Sequence, residues 1–176
     1  SIITIGLTGQ LESDRRNYSD LIAALKLLNI SERSKLLFMS LGGVPYGKKN
    51  SIAEEISNLA QIDVIGGFIT PKEFIQRGNR CDILISPLKK EFEYGTYKGS
   101  GTWGDAVYLK KKMLVPSFCD PMKEFKKTFI YYDGPKNLAD ILSKLDKKKL
   151  NSADDEYYNK FMSYNVYSNL RKIHKI

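Results

Sequence analysis

The sequence predicts an α/β domain of Rossmann-like, three-layer type. About six parallel strands are covered by helices on both faces, and a further helix follows at the C-terminus. Short apolar runs alternate with amphipathic stretches along almost the whole chain, a pattern typical of parallel sheets connected by helices. Glycine-bearing segments follow several of these runs. Because strand–helix–strand crossovers are right-handed, the topology is largely limited to Rossmann-like windings.

The N-terminal half predicts three strands, each followed by a helix. Short apolar runs predict buried strands at residues 2–7, 35–41 and 62–65. Apolar residues at helical spacing predict helices at 18–28 and 51–60. A shorter helix is predicted at 71–77, because Pro71 favours the first turn of a helix.

The C-terminal half continues the alternation and ends in a helix without a strand after it. Apolar runs predict strands at residues 82–86, 113–117 and 128–132, and helices are predicted at 102–111, 121–125 and 137–145. The last helical pattern, 153–171, carries large apolar side chains spread too widely for one narrow stripe: Tyr157, Tyr158, Phe161, Met162, Tyr164, Tyr167 and Leu170. Either this helix packs along the sheet domain, or part of its surface docks on another domain. We therefore divide the chain into a Rossmann-like domain at 1–152 and a C-terminal helix at 153–176.

The composition is that of one globular domain with a basic surface. Of the 176 residues, 42% are hydrophobic and 27% charged, which excludes a disordered chain. No apolar run approaches the roughly 20 residues of a membrane span, and we expect no signal segment, because residue 2 already begins a strand pattern. Cys81 and Cys119 have neither metal-binding nor disulfide spacing, so we expect no metal and a cytoplasmic location. The net charge of +8 favours anionic partners.

The stretch 98–105, Lys-Gly-Ser-Gly-Thr-Trp-Gly-Asp, is the most informative motif. It follows a predicted buried strand and leads into a predicted helix. A glycine-rich turn at a helix start brings backbone N–H groups and the positive end of the helix dipole together, and this combination attracts phosphate. Asp105, which the pattern places in the first helical turn, can accept hydrogen bonds from sugar hydroxyls. The stretch predicts a site for a phosphorylated sugar compound, such as a nucleotide-sugar.

The loop after the first strand offers a second set of candidates. Gly9 permits close backbone approach to a ligand, and Arg15 and Arg16 can reach a phosphate. The alternative is that they are two surface arginines in a loop. The segment 42–49 is close to a phosphate-binding P-loop, but Lys49 replaces its Ser or Thr and Pro45 interrupts it, which argues against a nucleoside triphosphatase.

Two more loops lie at the predicted carboxyl ends of strands. Residues 66–70, which include Gly67, Phe68 and Ile69, can contact a base, or they form a Gly-Gly turn followed by core residues. The connection 87–101 is long, which favours a functional loop. It carries four polar or aromatic candidates ahead of the glycine-rich turn: Glu91, Glu93, Tyr94 and Tyr97. The one histidine, His174, lies near the terminus and does not support Ser-His-Asp or Cys-His chemistry.

The order of these elements resembles the C-terminal, donor-binding domain of GT-B glycosyltransferases, notably the group-one retaining enzymes. The resemblance covers nearly the whole chain and rests on residues 8–18, 66–73, 81–87 and 104–116. It implies that the first loop holds the donor diphosphate and that the Gly66–Gly67 loop contacts the base. It further implies that Asp105 binds the ribose hydroxyls and that the diphosphate contacts Ser100, Gly101 and Thr102. Residues 1–152 would then form the nucleotide-sugar-binding domain.

The sequence departs from the family at one position. The family often has two glutamates eight residues apart, but Tyr97 stands eight residues before Asp105. The carboxylate beside the donor sugar is therefore missing or is supplied by Glu91 or Glu93, the candidate catalytic residues. The family's acceptor site lies largely in an N-terminal domain. Because the chain begins at Ser1 and its core begins at once, we expect a piece of a longer enzyme, inactive alone.

The resemblance also implies the partners. These are a nucleotide-sugar donor, a glycan or lipid-linked sugar acceptor and the N-terminal domain of the same enzyme, with no further cofactor. The enzyme would serve polysaccharide biosynthesis in the cytoplasm, with peripheral contact at the inner face of the membrane. The alternative function is a non-catalytic nucleotide-binding module of Rossmann type. A nucleic-acid-binding surface ranks last, because no motif interleaves aromatic with basic residues.

Overall fold

The computed structural model describes residues 1–44, 50–94, 98–123, 125–150 and 155–161. Six strands form one sheet: β1 (Ile3–Leu7), β2 (Leu36–Ser40), β3 (Gln61–Asp63), β4 (Ile83–Ile85), β5 (Met113–Pro116) and β6 (Phe129–Tyr132). All paired strands are parallel, and their order across the sheet is β3-β2-β1-β4-β5-β6. The order reverses between β1 and β4, and ligands bind at such a switch point in open α/β sheets. The predicted Rossmann-like fold is confirmed.

The helices cover both faces of the sheet. They are α1 (Tyr18–Leu27), α2 (Ile30–Arg33), α3 (Ser51–Ser57), α4 (Pro71–Arg80), α5 (Gly101–Tyr108), α6 (Gly134–Ser143), α7 (Lys147–Leu150) and α8 (Asp155–Asn159). Along β4, Ile83 and Ile85 belong to one apolar core and Leu84 to the other, because successive side chains of a strand point to opposite faces. The first core contains buried residues of α1, α3 and α6, and the second contains buried residues of α5.

The structure corrects the helix that was predicted at 121–125. A short 3-10 turn lies earlier, at Ser117–Cys119, and Lys123 adopts a left-handed φ of 55°. The buried carboxylate of Asp120 accepts hydrogen bonds from the Phe125 N–H, at 3.0 Å, and from the Tyr131 hydroxyl. These bonds hold the segment as a loop in place of the predicted helix.

Two short helices were not predicted. Asn29 and Glu32 form a reciprocal capping box that starts α2. The other, α7, is attached to the sheet by an ion pair of 3.1 Å between Lys147 Nζ and the buried Asp82 carboxylate, which also accepts the Thr4 N–H at 2.9 Å.

The predicted C-terminal helix is described over a short part of its length. α8 packs on the domain through aromatic rings: Tyr158 is buried, and the Phe161 and Phe125 ring centroids are 6.2 Å apart. These contacts belong to the described part of α8, and whether the rest of the predicted helix packs on the domain or docks elsewhere stays a prediction. Met162, Tyr164, Tyr167 and Leu170 lie outside the described residues. None of the described helices is long and apolar enough to cross a membrane.

Candidate functional site

The loops after β1 and β4 are joined by backbone hydrogen bonds at the switch point of the sheet. The Asn17 N–H donates to the Pro87 carbonyl at 2.6 Å, and the Lys89 N–H donates to the Arg15 carbonyl at 3.1 Å. Arg16 and Leu88 form an isolated antiparallel bridge between them. These two loops therefore meet, and they form one wall of a cavity.

Arg16 holds the loop after β1 in place. Its side chain is 8% exposed. The guanidinium donates from Nε to the Thr8 carbonyl at 3.2 Å and pairs through Nη1 with Glu12 Oε1 at 2.5 Å. Burial acts to raise the pKa of the Glu12 carboxyl, but backbone N–H donors of Arg15 and Asp14 and the Arg16 charge together hold this pKa below 4.5. Arg15 is 54% exposed and lies 3.5 Å from the same carboxylate.

Glycines let three loops pack backbone against backbone. A Cβ placed on Gly42 would lie 2.2 Å from the Gly9 carbonyl oxygen, and a Cβ on Gly43 would lie 1.5 Å from the Gly67 carbonyl oxygen. Gly9 itself has a φ of +69°, and its Cβ would lie 1.9 Å from Arg16 Nη2. Packing therefore explains Gly42 and Gly43 without a P-loop. Residues 45–49 of that motif lie outside the described residues.

A cavity of about 390 Å³ opens between these loops and α5. The described residues that line it are Arg15, Arg16, Leu88, Tyr94, Lys98, Gly99, Ser100, Gly101, Thr102 and Asp105. Seven of the candidates named from the sequence are among them: Arg15, Arg16, Tyr94, Ser100, Gly101, Thr102 and Asp105. Cations, hydroxyl groups and a carboxylate therefore converge on one space of a size that suits part of a small-molecule ligand.

The amino terminus of α5 faces this cavity. Ser100 is the N-cap residue, and its side chain forms no capping hydrogen bond. The Thr102 hydroxyl instead bonds the Ser86 hydroxyl at 2.8 Å and the Ser100 hydroxyl at 2.9 Å. A Cβ on Gly99, Gly101 or Gly104 would meet nothing within 4 Å. A ligand therefore has room to approach the first backbone N–H groups of α5, which carry partial positive charge.

Asp105 lies in the second turn of α5, and its predicted place in the first turn is wrong. The helix already begins at Gly101, within the predicted glycine-rich loop, and its first turn contains no acidic residue. Burial raises the pKa of the Asp105 carboxyl from 3.8 to about 6, although the positive charge of Arg16 acts in the opposite direction. Asp105 lines the cavity all the same, where its carboxylate can accept hydrogen bonds.

Lys98 lines the cavity, but no separate role was predicted for it. Its Nζ lies 5.6 Å from the centre of the Tyr94 ring and 5.9 Å from that of Phe92. Among the described residues, no carboxylate lies within ion-pair distance of it, whereas both arginines of the cavity share Glu12. The feature of the sequence that could have indicated a role for Lys98 is its position directly before the glycine-rich turn.

The predicted base-contacting loop lies outside the lining of this cavity. The Gly67 N–H donates to the Val44 carbonyl at 2.6 Å, and this glycine has a φ of +77°. Phe68 is 86% exposed and Ile69 is half-buried. The alternative of a turn followed by core residues therefore fails for Phe68, whose ring is free to stack against a planar group.

The two candidate catalytic glutamates are exposed and do not line the cavity. Glu91 lies in a 3-10 turn, Lys90–Phe92, and its carboxylate is 3.7 Å from Lys89 Nζ. Glu93 follows this turn with a left-handed φ of 53°. Tyr97, the remaining predicted site residue of this connection, lies outside the described residues. Among the described residues, no group of three or more His, Cys, Asp or Glu side chains could hold a metal ion.

Comparison with known proteins gives structural matches only. No family model matches the chain, and no curated protein matches it either. The catalytic domain of cholesterol-alpha-glucosyltransferase from Helicobacter pylori matches with a TM-score of 0.58 and 15% identity, over 93% of this chain and 99% of that one. The C-terminal domain of a glycosyl transferase group 1 family protein, LpcC, from Francisella tularensis matches with a TM-score of 0.60 and 16% identity, over 93% and 87%.

A third match is to part of a longer chain. An E. coli structure named trehalose-6-phosphate, bound with UDP-2-fluoro glucose, matches with a TM-score of 0.58 and 10% identity, over 99% of this chain and 44% of that one. The chain thus spans nearly all of the H. pylori domain and less than half of the E. coli chain. The shared fold is that of the C-terminal domains of GT-B glycosyltransferases.

Proposed function

We propose that this chain binds the nucleotide-sugar donor of a glycosyltransferase that transfers a sugar to a glycan or lipid-linked acceptor. The observation that carries the proposal is the cavity at the switch point, where Lys98, Arg15 and the amino terminus of α5 face Asp105. The presence of UDP-2-fluoro glucose in a protein of the same fold supports it. The net charge of +8 fits peripheral contact with an anionic membrane face, where a lipid-linked acceptor would be met.

The cavity groups, and the loop around Phe68 outside the cavity lining, each have a proposed role in holding the donor. The diphosphate contacts Lys98, Arg15 and the N–H groups of the first turn of α5, with Ser100, Gly101 and Thr102 forming that turn. Asp105 accepts hydrogen bonds from the ribose hydroxyls, and Phe68 stacks on the base while Gly67 and Ile69 shape its loop. Arg16 contributes positive charge but mainly fixes the loop that carries Gly9, because its guanidinium already bonds Thr8 and Glu12.

Calorimetric titration with UDP, GDP and ADP tests the proposal. We expect one of these nucleotides to bind, and Lys98→Gln or Arg15→Gln to weaken it about tenfold, since a charge-assisted hydrogen bond contributes about 1.5 to 3 kcal/mol. Lys72→Gln, an exposed lysine on α4 that changes the net charge equally, is the matched control. If no nucleotide binds, or if the control weakens binding as much, the proposed function is wrong.

The role of Asp105 has its own test. Asp105→Ala should reduce the affinity for the preferred ribonucleotide more than for its 2′,3′-dideoxy analogue, because the analogue lacks the hydroxyls that the carboxylate would bind. Equal losses for both ligands would contradict the ribose contact and leave Asp105 as a structural residue of α5.

A non-catalytic nucleotide-binding module is the second candidate function. It is favoured by one observation: among the described residues that line the cavity, Asp105 supplies the sole carboxylate, while Glu91 and Glu93 lie exposed outside it. A sugar-transfer assay with the N-terminal domain supplied separates the two functions, because a non-catalytic module transfers no sugar. In the same assay, unchanged transfer by the Glu91→Gln/Glu93→Gln double variant would remove both glutamates from the mechanism.

A further inference from the structure

A second cavity, of about 460 Å³, lies between α1 and α3 beside the first one. The start of each helix contributes to it, through Ser19 of α1 and Ser51 of α3, so it opens at the same end of the sheet. Arg16 lines both cavities. The loop after β1 therefore separates two adjacent spaces, and the proposed donor site occupies one of them.

The second cavity is positively charged. Lys26 of α1 and Lys89 of the loop after β4 line it, together with Arg16, whereas Glu55 is the single acidic lining residue among those described. Arg16 is already paired with Glu12, and Lys89 lies 3.7 Å from the exposed Glu91 carboxylate. Lys26 has no ion pair among the described residues. Lys26 and Lys89 are thus the two cations best able to neutralise an anion there.

The other walls suit a small polar molecule with an apolar ring face. Hydroxyl groups of Ser13, Ser19 and Ser51 line the cavity, and Ile22 and Ile52 give it an apolar side. The amino terminus of α1 also faces it, and its N-cap residue forms no side-chain capping bond. A positive helix end adds to the attraction for an anion. The volume is sufficient for a hexose phosphate.

We propose that the cavity between α1 and α3 is a second ligand site, which binds a phosphate monoester on a sugar-sized group. Lys26 and Lys89 contact the phosphate, and the serine hydroxyls contact the sugar. The site is separate from the donor cavity and does not depend on the chain binding a nucleotide. A free sugar phosphate and the phosphorylated headgroup of a lipid present the same chemistry to it.

Binding of glucose-6-phosphate and of inorganic phosphate, measured by calorimetry without nucleotide, tests this site. We expect binding by the wild-type chain and a loss of about tenfold or more in the Lys26→Gln/Lys89→Gln variant, because two charge-assisted contacts are removed. The Lys72→Gln/Lys136→Gln variant changes the net charge equally at exposed positions of α4 and α6, and we expect it to bind as the wild type does. Far-ultraviolet circular dichroism confirms that each variant is folded.

Lys98→Gln distinguishes this site from the donor cavity. An unchanged affinity for glucose-6-phosphate in Lys98→Gln supports two separate sites, and a loss in Lys98→Gln with none in Lys26→Gln/Lys89→Gln overturns the proposal. Absence of binding to every phosphate probe, or an equal loss in the control variant, also overturns it. Phosphatidylcholine vesicles with and without phosphatidylinositol phosphate form the second arm. Binding that needs this lipid and both lysines would identify a lipid headgroup as the source of the phosphate.

Discussion

At the scale of single residues, Gly9 and Arg16 depend on each other. Gly9 has a left-handed φ, and the space where its Cβ would stand is occupied by the Arg16 guanidinium. The guanidinium in turn bonds the Thr8 carbonyl and Glu12, so it cannot move aside without losing both partners. The shape of the cavity wall therefore depends on the absence of one side chain.

Gly9→Ala should destabilise the protein more than Gly134→Ala does. Both glycines have a left-handed φ, of +69° and +67°, but a Cβ on Gly134 would meet nothing within 4 Å. We expect a cost of about 1 kcal/mol for Gly134→Ala and about 2 to 3 kcal/mol for Gly9→Ala, measured by urea unfolding. Equal costs would show that Arg16 relocates freely and does not fix the loop.

Asp105 should make the stability of the protein depend on pH. Burial raises its pKa to about 6, so the folded chain holds this proton more tightly than the unfolded chain does. The resulting stabilisation is complete below about pH 4 and is lost as the pH rises through about 6. Relative to the wild type, Asp105→Asn should gain about 1 kcal/mol at about pH 7.5 and nothing at about pH 4, allowing for solvent screening.

The measurement is the free energy of unfolding of the wild type and of Asp105→Asn at several pH values between these limits. Asp14→Asn, at an exposed position of the loop after β1, is the control for changes in net charge. Parallel curves for the wild type and Asp105→Asn would show that the Asp105 carboxyl is not buried as described.

At the scale of elements, the helix α5 contains glycines that its packing does not require. Gly101 lines the cavity, whereas Gly104 does not, and a methyl group at either position would meet open space. Replacing a helical glycine with alanine usually stabilises a helix by about 0.5 to 1 kcal/mol. Glycine at position 101 carries this cost, but it allows a ligand to approach the backbone closely.

Gly101→Ala and Gly104→Ala should therefore differ in binding and agree in stability. We expect both to raise the thermal midpoint slightly, since neither methyl group clashes. Gly101→Ala alone should weaken nucleotide binding, by about tenfold, because its methyl group would project into the cavity. Calorimetry and thermal unfolding of the two variants give both quantities, and equal affinities would place the ligand away from the start of α5.

The sequence predicted α5 and its neighbours well but not their boundaries. The apolar runs were sufficient for all six strands, because burial between two layers of helices requires continuous apolar residues. The start of α5 was missed by one residue, since glycines at 99, 101 and 104 suggested a loop, and this shift moved Asp105 out of the first turn. The second cavity could not be predicted, because it depends on contacts between segments distant in sequence.

The segment 121–125 also depends on a contact that lies outside its local sequence. Its local composition permits a helix, but the Asp120 carboxylate bonds Tyr131 of β6, which no local pattern reveals. At 42–49, in contrast, the two described glycines serve loop packing, which needs no P-loop. Both arginines line the cavity, but their shared partner Glu12 was not foreseen.

At the scale of the whole molecule, this chain forms one wall of the site we propose. We expect it to bind the donor nucleotide and to show no sugar transfer by itself, because acceptor and donor must be held together with water excluded. Incubation with radiolabelled donors and mixed glycan acceptors, followed by chromatography of the products, measures this. Robust transfer by the 176-residue chain alone would show that a complete active site lies within it.

The mutual contacts of Gly9, Gly42, Gly43 and Gly67 have a consequence for how such a domain can be re-engineered. The loops that follow β1, β2 and β3 touch through their backbones, with no side chain between them to absorb a change in length or course. A loop transplanted singly from another protein would collide with the loop or loops that it touches. Grafting or directed diversification at this rim should therefore exchange all three loops together, as one cassette.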